Sequence, residues 1–476
     1  MKLSDLIELQ AGAQDADITG VSADSRQIKP GFIFAALPGT VVDGRQFIAQ
    51  AEQNGAIAII AEPGTKTSVP LLSDAEPRLQ LARLAARFHA GQPEMIAGIT
   101  GTNGKTSIAR FCQQIWSMLG HHSGSLGTLG AFSDGYEYTL RHTTPDPVEI
   151  HQVLSTMKTL GTTHLAMEVS SHGLAQYRAH GVKISVAAFT NITRDHLDFH
   201  VDFDDYFAAK ARLFTELLPE GNVAVVNMDG AESQRMADVI KAAGRNLMTV
   251  GRHGEDIKLL DTSPTQDGQQ VRVVSNNVEY SLKLPLIGYF QAENALVAAG
   301  LVIASGHDIE DVLPQLERLT GAPGRMEHVA SRRVEGGSAG VYVDYAHTPD
   351  AIDTALKAIR PHTNGKLVVI IGAGGDRDKV KRPQMGQAAA ALADEVIVTD
   401  DNPRTEDAAI IRAEVMQGCP DAIEVADRRE AIAAGLDRLG DGDLLLIAGK
   451  GHETGQTIGT VTMPFNDADV ARELVG

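Results

Sequence analysis

The chain has 476 residues, 43% of them hydrophobic, enough for two to four domains with cores of their own. Its formal net charge of −19 argues against a nucleic-acid partner, which needs a positive footprint. The two cysteines, Cys112 and Cys419, exclude a disulfide framework or cysteine zinc site, and no apolar run is long enough to span a bilayer. The opening MKLSDLIELQ lacks a signal-peptide core, so the expectation is a cytoplasmic chain with no membrane partner.

In chain order, residues 1–88 read as a small α/β unit. Segments 32–37 (FIFAAL) and 56–61 (AIAIIA) are short buried-strand runs, and 78–89 (RLQLARLAARFH) is rich in helix formers. Gly91 and Pro93 then break the pattern as a linker. Strands at 95–100, 164–169, 185–190 and 223–227 alternate with helical stretches, which predicts a mostly parallel sheet covered on both faces. Residues 251–283 are polar and alternating, as in a small antiparallel excursion. From about 321–325 a further unit carries strands at 341–344, 367–372, 395–399 and 444–448, separated by alanine-rich helices. It reads as doubly wound and Rossmann-like. The expected fold class is α/β in three domains, 1–88, 89–323 and 324–476.

The strongest local signal is GITGTNGKT at 98–106, a strand feeding a glycine-rich turn that opens a helix. Backbone N–H groups of Gly101, Thr102, Asn103 and Gly104 can face phosphate oxygens at the positive end of a helix dipole. Lys105 would reach the outer phosphates and the Thr106 hydroxyl a Mg²⁺ ion. The strict P-loop spacing is not met, because Ile99 stands where its first glycine belongs.

The TGTNGKT loop resembles that of the Mur ligases, the ATP-dependent peptide-bond formers of peptidoglycan synthesis. HTTPDP (142–147), MEVSSHG (167–173), TNITRDHLDFH (190–200), AAKARLF (208–214), GRME (324–327), VDYAHTP (343–349), GGDRDKVKRP (374–383), DNPR (401–404) and GKGHE (449–453) extend the resemblance in order over nearly the whole chain. It implies an N-terminal UDP-substrate domain, a central ATPase domain and a C-terminal Rossmann-like domain that binds the incoming amino acid.

The resemblance also implies roles. Glu168 and His196 join Thr106 as metal-ligand candidates, and Lys210 matches a lysine carbamylated by CO₂ in the family. Arg325, Asp344 and His347 would reach ATP in a closed form, with Arg325 stabilising the transferring phosphoryl group, and Asn294 resembles a nucleotide-side contact. Gln291 stands where the family commonly has asparagine and receives no role. Ser25 and Arg45 resemble uridine-diphosphate contacts, and Thr143, Thr144, Ser170, Gln176 and Arg178 contacts to the muramoyl-dipeptide. Arg404, with Arg377, Asp401, Asn402, Gly449 and Glu453, marks the member that adds meso-diaminopimelate to a UDP-N-acetylmuramoyl-dipeptide, because an arginine forks onto the distal carboxylate that L-lysine lacks.

Joining a carboxylate to an amine in this way uses ATP and Mg²⁺ through an acyl phosphate. The expected form is a monomer. An L-lysine-adding ligase and a folylpolyglutamate-synthase-like ligase are the rivals within the fold. A P-loop kinase would have no need of GRME, DYAHTP and GKGHE, and a binding protein with a degenerate site no need of intact Lys105, Thr106, Glu168, His196 and Lys210.

Overall fold

The computed structural model describes residues 1–6, 15–39, 42–196, 199–265 and 267–476. Ile7–Gln10 of the opening segment and Leu197 and Asp198 of TNITRDHLDFH lie outside the described residues. The chain divides into two compact units, one of residues 1–249 and 300–307, the other of 250–299 and 308–476.

The first unit contains two sheets among the described residues. The N-terminal one is parallel, in the order Gly20–Ser22, Phe32–Ala35, Ala58–Ala61, Leu71–Ser73. The expected helix is there as Pro77–Phe88, with proline in its first turn, and it packs Leu81 and Leu84 on Ile33, Ala35 and Ile60. The larger sheet runs Val223–Asn227, Val186–Phe189, Met95–Thr100, His164–Glu168, Ser123–Gly127 in parallel. The strands Gly130–Ser133 and Tyr136–Tyr138 follow antiparallel. These last strands, glycine-rich or short, carry no apolar run by which the sequence could announce them.

Met95–Thr100 is flanked by both neighbours in register: Ile99 pairs with Glu168 and Thr100 with Phe189. That pairing brings the glycine loop, Glu168 and the start of the 190–200 segment to one edge of the sheet. Such a carboxyl edge is where open α/β sheets bind ligands.

In the second unit, Ile257–Thr265, Gly268–Ser275 and Val278–Leu284 form the antiparallel excursion that the alternation at 251–283 predicts. Its second turn holds Asn276 and Asn277, both at positive φ, as a two-residue hairpin favours. The remaining main sheet has the order Glu327–Val334, Gly337–Asp344, Leu444–Ala448, Leu367–Ile371, Glu395–Val398, Ile423–Glu424, parallel after its first pair. The strand expected at 341–344 begins earlier, at Gly337, because it pairs along its whole length with Glu327–Val334.

Alternate residues of one strand serve opposite layers. Leu367, Val369 and Ile371 pack with Ile352, Leu356, Met385 and Val415. Val368 and Ile370 pack with Ala431, Ile432, Leu436 and Ala471. A strand covered on both faces must be apolar at every position, which is why LVVII and LLLIA read as unbroken runs. Helix starts are set locally: Asp146 caps Pro147–Thr159, Thr348 caps Pro349–Ile359 and Asp427 caps Arg428–Leu436 through side-chain oxygens on backbone N–H groups.

Candidate active site

In the first unit the helix Lys105–Met118 springs from the glycine loop. Lys105 Nζ folds back to donate to the Gly101 and Thr102 carbonyls at 2.8 Å each. Asn191 Oδ1 accepts from Asn103 N, and the Thr190 hydroxyl donates to the Asn103 carbonyl, so the 190–191 segment braces the loop.

Glu168, 2% exposed, is the hub. Its Oε2 accepts from the Thr106 hydroxyl at 3.0 Å and from the Thr128 hydroxyl at 3.1 Å, and its Oε1 from Thr128 N at 2.8 Å. Gly127 is required here: a Cβ on it would run into the Glu168 carboxylate. A small, partly open pocket lies alongside, lined by Thr106, Arg110, Ser125, Gly127 and Glu168. Thr128 escaped the sequence reading, since one threonine in GTLG carries no signal.

Lys210 is buried, not the surface residue its alanine-rich helix suggests. Its Nζ donates to the Gly101 carbonyl at 2.7 Å and lies 4.4 Å from the centre of the Tyr206 ring. Burial, then the charge of Lys105, pushes its ammonium well below the ordinary lysine value, with Asp195 opposing. The helix Phe203–Arg212 passes directly into a π-helical turn, Leu213–Leu217, an irregularity common at functional sites. His196 has φ +53° and lies 3.4 Å from the Asp195 carboxylate, with its ring 4.8 Å from His172 and 6.1 Å from Tyr206. Tyr206 in turn meets the Thr102 hydroxyl at 3.0 Å, which sets His196 on the loop side of this helix.

The five residues expected for the muramoyl-dipeptide fall close together. Thr143 and Thr128 share a hydroxyl contact at 3.0 Å, and Thr144 donates to the Glu168 carbonyl and accepts from Ser170 N. Arg178 donates to the Thr144 carbonyl and, through two nitrogens, to Gln176 Oε1. Ser25 and Arg45 lie apart from this group, on the turns Ser25–Gln27 and Gly44–Phe47 beside the N-terminal sheet. Ser25 donates to Gln50 Oε1, and Arg45 pairs with Asp43 and Glu62.

In the second unit Gln291 is fully buried, accepts from Asn294 Nδ2 at 3.1 Å and donates to the Arg325 carbonyl at 3.1 Å. The residue left without a role thus holds two that had one. Asp344 Oδ2 accepts from Met326 N at 2.7 Å. Burial raises its carboxyl above the usual range, against the pull of Arg325. Arg325 lies 4.9 Å over the Tyr345 ring, and His347 contacts the Tyr345 carbonyl. GRME packs on GKGHE: a Cβ at Gly324, whose φ is +66°, would collide with His452 N.

The DNPR loop is equally constrained. Arg404 has φ +51°, and its NH1 donates to the Gly375 carbonyl at 2.6 Å. Arg377 and Arg404 flank Gly374. Asp401 Oδ1 accepts from Asn402 N, a Cβ at Gly449 would sit 3.0 Å from Asp401 Oδ2, and Asn402 Nδ2 donates to Glu453 Oε2 at 2.8 Å. The six residues expected at this site therefore lie on three adjoining loops, 374–380, 401–404 and 449–453. Beneath them Arg382 pairs with Glu406 and Glu414, and Arg428 with Asp467, all three partnerships through buried guanidinium groups.

A glycine phosphate loop at the carboxyl edge of a mostly parallel sheet, followed by a doubly wound unit with a charged cluster of its own, defines the class: an α/β protein built to handle a nucleoside triphosphate. Three family matches refine it. Residues 17–89 match the catalytic domain of the Mur ligase family, 99–302 the Mur ligase middle domain, and 324–451 the Mur ligase glutamate ligase domain. The chain is 48% identical to the UDP-N-acetylmuramoyl-L-alanyl-D-glutamate–2,6-diaminopimelate ligase of Caulobacter vibrioides, covering 100% of this chain and 99% of that one. The enzyme of the same name from Mesorhizobium japonicum is 47% identical over 99% and 98% of the two chains. A solved structure of a ligase of that name superposes with a TM-score of 0.75 at 33% identity, over 100% and 98% of the two chains. A folylpolyglutamate synthase from Mycobacterium tuberculosis shares the fold at a TM-score of 0.62 and 20% identity, over 84% and 95%. The chain belongs to the Mur ligase family, ATP-dependent ligases that form amide bonds. Among the described residues no helix is long and apolar enough to cross a membrane.

Proposed function

We propose that this ligase adds meso-2,6-diaminopimelate to UDP-N-acetylmuramoyl-L-alanyl-D-glutamate in the cytoplasm, as a monomer. In this reading 1–88 holds the uridine end through Ser25 and Arg45, 89–323 the nucleotide and dipeptide, and 324–476 the amino acid. The observation that carries it is the pairing of opposite charges on adjoining loops: Arg404 beside Arg377 for a distal carboxylate, and Glu453 with Asn402 for the ammonium next to it. L-Lysine offers only the ammonium.

The D-glutamyl carboxylate, oriented by Thr143, Thr144, Ser170, Gln176 and Arg178, attacks the γ-phosphorus of ATP, and the bond to the ADP oxygen breaks. The amine then attacks the acyl phosphate carbon, and inorganic phosphate leaves. Lys105 and the loop amides hold the ATP phosphates, and Arg325, Asn294, Asp344 and His347 are the further nucleotide contacts of this reading. Mg²⁺ suits the oxygen donors Thr106 Oγ1 and Glu168, already 3.0 Å apart, with His196 as a third candidate, and when bound it neutralises phosphate charge.

Lys210 is set up for carbamylation. An ammonium destabilised by burial is readily a neutral amine, which attacks CO₂ to give a carbamate and release a proton. The product is an anion, which would not oppose a metal ion held by Thr106 and Glu168 as an ammonium would.

Product analysis tests the function. The chain incubated with ATP, Mg²⁺, the UDP-muramoyl-dipeptide and diaminopimelate is expected to yield a UDP-muramoyl-tripeptide by mass spectrometry. An unchanged dipeptide would refute the proposal.

A further inference from the structure

Lys450 lies fully buried between the DNPR loop and Glu453. A lysine ammonium has three N–H donors. Here each has an acceptor: the Gly455 carbonyl at 2.7 Å, Glu453 Oε2 at 2.9 Å and Asn402 Oδ1 at 3.3 Å. Asn402 closes the ring by donating to the same Glu453 Oε2 at 2.8 Å, while its Oδ1 also accepts from Thr457 N at 2.9 Å. Glu453 Oε2 is thus held by two donors. Its Oε1 accepts no hydrogen bond among the described residues, on a side chain that is 34% exposed.

A buried ion pair adds little stability over well-packed apolar groups. What this one supplies is direction: one carboxylate oxygen is tied down and the other is turned outward. Through Gly455 and Thr457 the same ring anchors the hairpin Gly455–Pro464, whose Thr457 carbonyl accepts from Arg404 N at 3.1 Å.

We infer that Lys450 is a positioning residue for amino-acid selection: it aims Glu453 Oε1 at the ammonium of the distal head of the incoming diamino acid, leaving the distal carboxylate to Arg404. This rests on the diaminopimelate reading above. It divides recognition into a carboxylate end and an ammonium end, and assigns Lys450 to the latter alone.

The test compares diaminopimelate with 2-aminopimelate, which keeps the distal carboxylate and lacks the distal amine, using the full chain. Lys450→Met is expected to raise the KM for diaminopimelate about 10- to 100-fold, the loss of one hydrogen bond to a charged group. The KM values for ATP, the UDP-dipeptide and 2-aminopimelate should stay at the wild-type level. Glu453→Gln, with Lys450 intact, should give the same selective loss, and the double variant should be no worse than either single one. Equal losses on both amino acids, or an unchanged diaminopimelate KM in either variant, would overturn the inference. If Lys450→Met does not fold, Lys450→Gln, which keeps an uncharged donor in place of the ammonium, takes its place: a loss confined to diaminopimelate supports the inference and an equal loss on both amino acids overturns it. Wild-type chain that turns over neither amino acid would overturn the functional reading itself, and this inference with it.

Discussion

Single residues carry the chemistry, and the backbone marks several of them. His196, Met326, Asp376 and Arg404 all have φ near +50°, a region that costs non-glycine residues of order 1 kcal/mol and persists where neighbours enforce it. All four fall on segments that the resemblance singles out. Arg404→Met is expected to raise the KM for diaminopimelate about 10- to 100-fold with the KM for ATP unchanged, as read by initial-rate kinetics; a uniform loss of kcat would contradict its role. Lys210→Arg cannot carry a carbamate and should abolish turnover. Lys210→Met should also be inactive while the chain stays folded by circular dichroism. Retained activity in either variant would end the carbamate proposal. At this scale the sequence was only partly legible. Lys105 and Thr106 follow from the glycine-loop pattern, but Lys210 and Arg404 needed the resemblance, and Thr128, Gln291 and Lys450 each act in part through a partner distant in sequence.

Secondary-structure elements place these residues, and their margins are testable. The strand Ser123–Gly127 ends against Glu168, so Gly127→Ala should displace that carboxylate and cut kcat at least about tenfold while the chain stays folded by circular dichroism. Near the far end of the Lys105–Met118 helix, His121 meets His307 through a 2.8 Å ring contact, and its ring lies 3.9 Å from that of His164 at a tilt of 36°. Burial, then His121 and His307, lowers the His164 pKa from 6.5 to about 4, with Glu94 opposing. Between those values the unfolded chain binds a proton that the folded one refuses. Stability is therefore full above pH 6.5 and falls as the pH drops toward 4. The denaturation midpoint of His164→Phe should vary less over that range than wild type; an equal slope would show that the histidine cluster is not its source. Strands such as Leu367–Ile371 were readable because burial on both faces forces an unbroken apolar run. Ser123–Gly127 and Tyr136–Tyr138 were not, since glycine, serine and exposed tyrosine leave no such pattern.

At the scale of the whole molecule, amide ligation requires one chain to hold a phosphate site and an amino-acid site, and the proposed reading assigns one to each of the two units. The α/β alternation made that architecture legible, while the choice of amino acid rested on a few charged side chains. The most direct measurement is phosphate release from ATP with Mg²⁺ and the UDP-muramoyl-dipeptide, with meso-diaminopimelate or L-lysine added in parallel. Release that depends on diaminopimelate, with little from lysine, is the predicted result. Equal or greater release with lysine would contradict the assignment of Arg404, and none with either from folded chain would contradict the proposed reaction.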